Sequence, residues 1–187
     1  MSRRLPAPPP PAETCLAGRD TPIEVPAAHF VNGHPMKGPW PADHETLVVA
    51  MGCFWDAERL CWKIDGVYST VVGDAVGMTP NSTDRETCTS MTGHTEAVLV
   101  VFDPNVVSVG ELLAVFWENH DPTQYMGQGN DVGSQYRSAV YAADDDQFAV
   151  AIASRDAYRS NLASAGFGDI TTEITGPQAF FYAERNH

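Results

Sequence analysis

The junction at Gly52 constrains the fold more than any other feature of the chain. Before it, Thr46-Leu47-Val48-Val49-Ala50-Met51 is an unbroken apolar run that reads as a buried strand. Directly after it the period changes: Ala57, Leu60, Cys61 and Ile64 recur at i, i+3, i+4 and i+7. That spacing belongs to an amphipathic helix, and Asp65-Gly66 closes it. Gly52-Cys53-Phe54-Trp55 occupies the turn from strand to helix.

Further elements follow from the same rules. Residues 67–76 are rich in β-branched side chains and predict a second strand, followed by a loop carrying Thr79-Pro80-Asn81. Residues 94–102 predict a third strand, ending at the turn Asp103-Pro104-Asn105. Ser108 and Glu111 have the spacing of a capping box, opening a helix through Leu112, Leu113 and Phe116 that Asp121-Pro122 ends. A Gly-rich polar stretch, 127–133, leads into a strand over 136–141. Asp144 then caps an Ala-rich helix to about residue 165, and residues 170–175 predict a last strand. Strands and helices mix without strict βα alternation, which favours α+β. Residues 1–12 are Pro-rich and expected to form a mobile arm. Residues 13–187 are expected to form one domain, with 13–44 as an irregular segment wrapped on it.

Composition excludes several functions. The chain of 187 residues carries a net charge of −13 and only 11 Lys and Arg, so a nucleic-acid role is not expected. No apolar run approaches the roughly 20 residues of a membrane helix. Met1-Ser2-Arg3-Arg4 leads into prolines, not an apolar segment, so no secretory signal is expected and the cytoplasm is the default. The four cysteines, at 15, 53, 61 and 88, form no Cys-x-x-Cys pair, and no ligand spacing suggests a metal site. The sharper question is whether one thiol is reactive.

Cys53 is the first candidate, because a thiol at a helix N-terminus meets the positive end of the dipole, which favours thiolate. Glu96 is the second. Alternation places His94, Glu96, Val98, Val100 and Phe102 on one strand face, where a desolvated carboxyl stays protonated and can act as a general acid. A third cluster is Gly129-Asn130-Asp131 followed by Gln135-Tyr136-Arg137-Ser138, polar groups in a Gly-rich loop beside a strand.

Five ordered blocks resemble the type A peptide methionine sulfoxide reductases. They are Gly52-Cys53-Phe54-Trp55, Thr92-Gly93-His94-Thr95-Glu96, His120-Asp121-Pro122-Thr123-Gln124, Gln128-Gly129-Asn130-Asp131 and Gln135-Tyr136-Arg137-Ser138. The resemblance implies a two-layer α+β sandwich around a mixed sheet with a ferredoxin-like core. It implies reduction of the S epimer of methionine sulfoxide, free or in proteins. Carried over by motif, Cys53 would attack sulfur and Glu96 would protonate the oxygen. Phe54 and Trp55 would wall the methyl group, Tyr136 would bind the oxygen, and Asp131 would organise the polar side. Oxidised proteins and small methyl sulfoxides would be substrates, for a monomer needing no cofactor beyond an external thiol such as thioredoxin or dithiothreitol.

The sequence also departs from the family pattern. Asp84 stands where the family commonly has a Tyr, Asp56 and Val76 replace glycines, Asp74 falls where a Tyr is usual, and Gly127 replaces an Arg. The aspartates are expected to oppose a thiolate and favour a protonated Glu96. The family's C-terminal tail carries resolving cysteines, and the sequence ends at His187 before one. Cys61 lies about 12 Å along the helix from Cys53, too far for a disulfide that needs Cα atoms within about 7 Å. Cys88 and Cys15 stay open as resolving thiols, beside direct attack by an external thiol. Two rival readings are a cysteine acyl-transferase using His94 or His120 as base, and a module that binds oxidised methionine without turnover.

Overall fold

A computed structural model describes residues 6–187, so the expectation of mobility over residues 1–12 lies outside the described residues for 1–5. The apolar run preceding Gly52 forms β1 (Glu45–Met51), and the helix that follows is α1 (Phe54–Cys61), with Cys53 as its N-cap. β2 (Val67–Ala75), a short α2 (Asp84–Thr87) and β3 (Thr95–Phe102) come next. α3 (Val109–Glu118) starts at Ser108, whose hydroxyl accepts from Glu111 N while the Glu111 carboxylate accepts from Ser108 N. A two-residue hairpin, β4 (Gly127–Gln128) and β5 (Asp131–Val132), precedes β6 (Ser138–Tyr141). The chain closes with α4 (Asp145–Ser164), β7 (Glu173–Thr175) and β8 (Phe180–Tyr182).

The main sheet has the order β7-β6-β1-β3-β2-β8. β3 is antiparallel to both β1 and β2, so those two run parallel with β3 inserted between them and α1 as their crossover. β6 is antiparallel to β1, and α3 connects it to β3. The four strands β6-β1-β3-β2 therefore carry the ferredoxin-like split βαβ arrangement. β7 joins parallel to β6 and makes the sheet mixed. Leu47, Val49 and Met51 of β1 and Val98, Val100 and Phe102 of β3 share one core with Phe54, Ala57 and Cys61 of α1 and Leu113 and Phe116 of α3. Burying one such aliphatic side chain contributes roughly 1.5–3 kcal/mol. The opposite face holds a second cluster built on Ala50, Ala75, Ala97 and Ala139.

Three local expectations change, and one strand is new. Tyr136 belongs to a 3-10 turn (Ser134–Tyr136), not to the strand after it, because the chain must bend from the hairpin into β6. The strand expected over 170–175 shortens to Glu173–Thr175. β8 was not read from sequence, since three residues give no period; its pairing with β2 places the Phe181 carbonyl 2.3 Å from where a Gly73 Cβ would stand, so only glycine fits. Cys88 is the C-cap of α2, not a loop residue.

The segment before β1 lies against β2. Ala28 and Pro35 form an isolated antiparallel bridge, and the turn between them is pinned by His29 Nε2 to Thr70 Oγ1 (2.9 Å) and Asn32 Nδ2 to the Tyr68 carbonyl (3.1 Å). No helix among the described residues is long and apolar enough to cross a membrane.

Candidate active site

The C-terminal end of β1 and the N-terminal end of β3 meet because the strands are antiparallel, with Val49 opposite Val98. That register brings Gly52-Cys53 alongside the start of β3. Gly52 has φ +93°, and a Cβ on it would lie 2.6 Å from the Gln128 side chain, so glycine is required for both conformation and approach. Glu96 is 3% exposed, and its Oε2 accepts the Phe54 backbone N–H at 3.2 Å. The first free amide of α1 thus holds the carboxyl next to the Cys53 thiol.

Burial raises Glu96 to a pKa of about 8; the Phe54 amide opposes this, and the charges of Asp74, Asp84 and Asp131 add to it. At neutral pH the side chain is a proton-bearing acid. Asp74 pairs with Glu96 across β2 and β3 and accepts the hydroxyls of Ser82 (3.0 Å) and Thr87 (2.8 Å). Burial also raises Asp74, while the charge of His94 acts the other way.

The Cys53 thiol moves opposite to the expectation from the helix dipole alone. Burial pushes it up, the amides of Trp55 and Asp56 pull it down, and the charges of Glu96 and Asp56 push it up again. Desolvation outweighs one helix end, so the resting group is a thiol. Proton-bearing Glu96 lacks the charge that opposes thiolate, which ties the two groups together.

The structure gathers three groups whose proximity was not apparent from the sequence. Asp84, Cys88 and Glu96 each place one potential ligand atom within 4.8 Å of the others. The Cys88 sulfur lies 3.8 Å from Asp84 Oδ1 and 4.0 Å from the Tyr136 hydroxyl. Negative charge on all three would be costly, which favours protons on Glu96 and Cys88. Burial and the Asp84 charge raise Cys88, and burial with the Glu96 charge raises Tyr136. Thr83 and Glu86 form a capping box that opens α2, and that three-residue spacing was the signal available in the sequence.

Arg137, given no role of its own in the sequence beyond its motif, braces the site. Its Nη1 donates to the carbonyls of His94 (2.9 Å) and Ser134 (2.8 Å), its Nη2 to that of Gly93 (3.3 Å), and its Nε to Glu173 (3.1 Å). The fork ties the Tyr136 turn to the start of β3. Thr95 Oγ1 adds bonds to the carbonyls of Gln135 and Arg137.

Phe54 is buried, and Trp55 is half exposed with its ring stacked 5.5 Å from that of His187. Asp131 is exposed on β5, and its charge reaches Glu96. Cys61 is core, pushed to about 12 by burial. Cys15 is half-buried near the Pro11 carbonyl, and all four cysteines are free. Neither histidine base of the acyl-transferase reading is available. His94 accepts from Gly77 N at Nδ1 and reaches the Thr79 carbonyl through Nε2. His120 is bonded to Phe116 O and Ser138, and burial lowers it to about 4.

Comparison with known proteins gives one answer. The profile described as "Peptide methionine sulfoxide reductase" matches residues 45–187. The peptide methionine sulfoxide reductase MsrA of Brucella melitensis is 57% identical over 95% of this chain and 82% of its own length. Methionine sulfoxide reductase A of Corynebacterium diphtheriae superposes with a TM-score of 0.89 at 42% identity, covering 95% of this chain and 87% of that one. Reduced Mxr1 of Saccharomyces cerevisiae gives 0.72 at 29%, covering 78% and 82%, and Mxr1 has also been solved in complex with Trx2. With its thiol, its buried acid and this agreement along most of its length, the chain belongs to the peptide methionine sulfoxide reductase family.

Proposed function

We propose that this peptide-methionine (S)-S-oxide reductase uses Cys53 as nucleophile and Glu96 as general acid. The sulfur of Cys53 attacks the sulfoxide sulfur as the Glu96 proton passes to the sulfoxide oxygen, and the proton of the Cys53 thiol replaces it on Glu96. The S–O bond breaks as that oxygen is transferred, leaving methionine and a sulfenic acid on Cys53. Two external thiol equivalents then return Cys53 to its thiol, releasing water and a disulfide. Phe54 and Trp55 form the apolar wall for the S-methyl group. Tyr136 donates to the oxygen, and Asp131 organises the polar rim.

The observation that carries this reading is Glu96 itself, buried, held by the first amide of α1 and raised to about 8 beside Cys53, the N-cap of that helix. The reductant is a thioredoxin-class dithiol, in line with the Mxr1–Trx2 complex, and dithiothreitol replaces it in the assay. Cys88 is the internal thiol best placed to intercept the sulfenic acid, since its sulfur shares the Glu96 cluster, whereas Cys15 is held in the arm. The protein works as a cytoplasmic monomer on oxidised proteins and small methyl sulfoxides, with residues 13–187 acting as one unit. The test is dithiothreitol-driven reduction of resolved S and R epimers of a blocked methionine sulfoxide, with Cys53→Ser alongside. Turnover of the S epimer alone, lost in the variant, is expected; methionine from neither epimer with folded protein refutes the assignment.

A further inference from the structure

One cavity is largely unused by the chemistry above. It is a groove of about 670 Å³ beside α1, walled by Phe30, Val31 and Met36 of the arm, Trp55 and Trp62 of the α1 region, and His187. A volume of this kind accommodates a drug-sized ligand, far more than one sulfoxide side chain. Trp55 lines this groove and is also assigned to the methyl wall, so the groove adjoins the sulfoxide site at that ring.

Three large apolar side chains on the groove are exposed: Phe30 completely, Val31 and Trp55 by more than half. Phe30 is not exposed because its segment is loose. His29, its neighbour, is 5% exposed and bonded to Thr70, Asn32 holds the Tyr68 carbonyl, and Ser69 donates to the Pro35 carbonyl at 2.9 Å. The turn is fastened to β2 on both sides of Phe30 and still presents the ring to solvent. Clustered exposed apolar groups of this sort mark a surface that meets a partner. The wall also holds an unmet polar atom: His187 Nδ1 is buried and has no hydrogen-bond partner among the described residues.

We infer that this groove binds the polypeptide around an oxidised methionine, taking an apolar side chain next to the sulfoxide residue against Phe30, Val31 and Trp55. The inference rests on the assignment of Cys53 and Trp55 to the sulfoxide site. The occupant is a peptide because the family is that of the peptide methionine sulfoxide reductases and because the groove shares Trp55 with the wall assigned to the reacting residue. It is apolar because most of the lining is, including Phe30, Val31, Met36, Trp55 and Trp62. The groove thereby distinguishes oxidised residues in apolar segments from those in polar ones.

The test uses two blocked pentapeptides with (S)-methionine sulfoxide at the centre, one flanked by leucines and one by serines, beside N-acetyl-methionine sulfoxide. The leucine peptide is expected to show kcat/KM about fivefold above the serine peptide or more, carried by KM, as partial burial of one aliphatic side chain dictates. In the Phe30→Ser/Val31→Ser double variant the two peptides converge while reduction of the N-acetyl amino acid is unchanged. Equal rates on both peptides in the unmodified protein overturn the inference and leave the Cys53 assignment standing. Calorimetric binding of both peptides to Cys53→Ser separates the remaining case. Tighter leucine-peptide binding upholds the groove even where no substrate turns over, and equal binding refutes it.

Discussion

Glu96→Gln isolates the acid from its geometry. Glutamine has the same length, and its carbonyl oxygen can still accept the Phe54 amide, as Glu96 Oε2 does at 3.2 Å. Only the transferable proton is lost. With a pKa of about 8, Glu96 is roughly nine-tenths protonated at pH 7, whereas at its ordinary value of 4.5 it would be almost wholly ionised. A positioned general acid contributes about 10²–10⁴ in rate, so single-turnover methionine formation should fall by that factor. The unmodified protein should lose activity as pH rises through about 8, and the variant should lack that alkaline decline.

Stability supplies a control of opposite sign. Because the folded-state pKa is raised, the folded protein binds more protons than the unfolded chain between about pH 4.5 and 8, so stability falls with pH across that window. The glutamine variant escapes this loss and should melt no lower than the parent at pH 8. Rapid-quench assays from pH 6 to 9.5 with parallel thermal melts read both effects. A variant retaining more than about a tenth of the rate, or a parent profile flat through pH 8, refutes Glu96 as the acid.

Asp84→Asn removes one of the charges that raise Glu96, so the alkaline limb of the rate profile should move to lower pH; an unmoved limb would show that the Asp84 charge does not reach the acid. Arg137→Lys cannot reproduce a fork serving the carbonyls of Gly93, His94 and Ser134, and should cost about 2 kcal/mol in denaturant titration with kcat falling more than KM rises. Ser108→Ala breaks the α3 capping box far from the thiol, and should lower stability by about 1 kcal/mol, or Tm by about 2–4 °C, with activity unchanged.

The parts of the fold that were legible in the sequence are those where local chemistry and packing agree. The β1–α1 junction combined a change of apolar period with a glycine, and it appears within a few residues of its expected place. Glu96 was legible because it alternates with Val98 and Val100, and the same face is buried in the structure. What stayed hidden depends on distant pairing. Nothing local in Phe180–Tyr182 marks a strand, since its partner is β2, about a hundred residues earlier in the chain. Asp84 and Cys88 share a helix turn, but their approach to Glu96 needs α2 seated over the β2–β3 pair. For the Cys53 thiol the helix end and the opposing aspartates were both visible in sequence, while the depth of burial that raises it most was not.

The insertion of β3 between β1 and β2 makes catalysis a readout of folding. Cys53 and Glu96 lie 43 residues apart with α1, β2 and α2 between them, so the site does not exist until the central strand has slotted into place. Side chains alternate between the faces of a strand, and a slip of one residue along β1 would turn Glu96 away from the thiol while leaving most backbone bonds remade. Such non-local pairing is slow to form. Recovery of reductase activity during refolding should therefore lag the return of helix, timing the insertion of β3, and a mis-registered sheet would pass as folded by its secondary structure while remaining chemically silent.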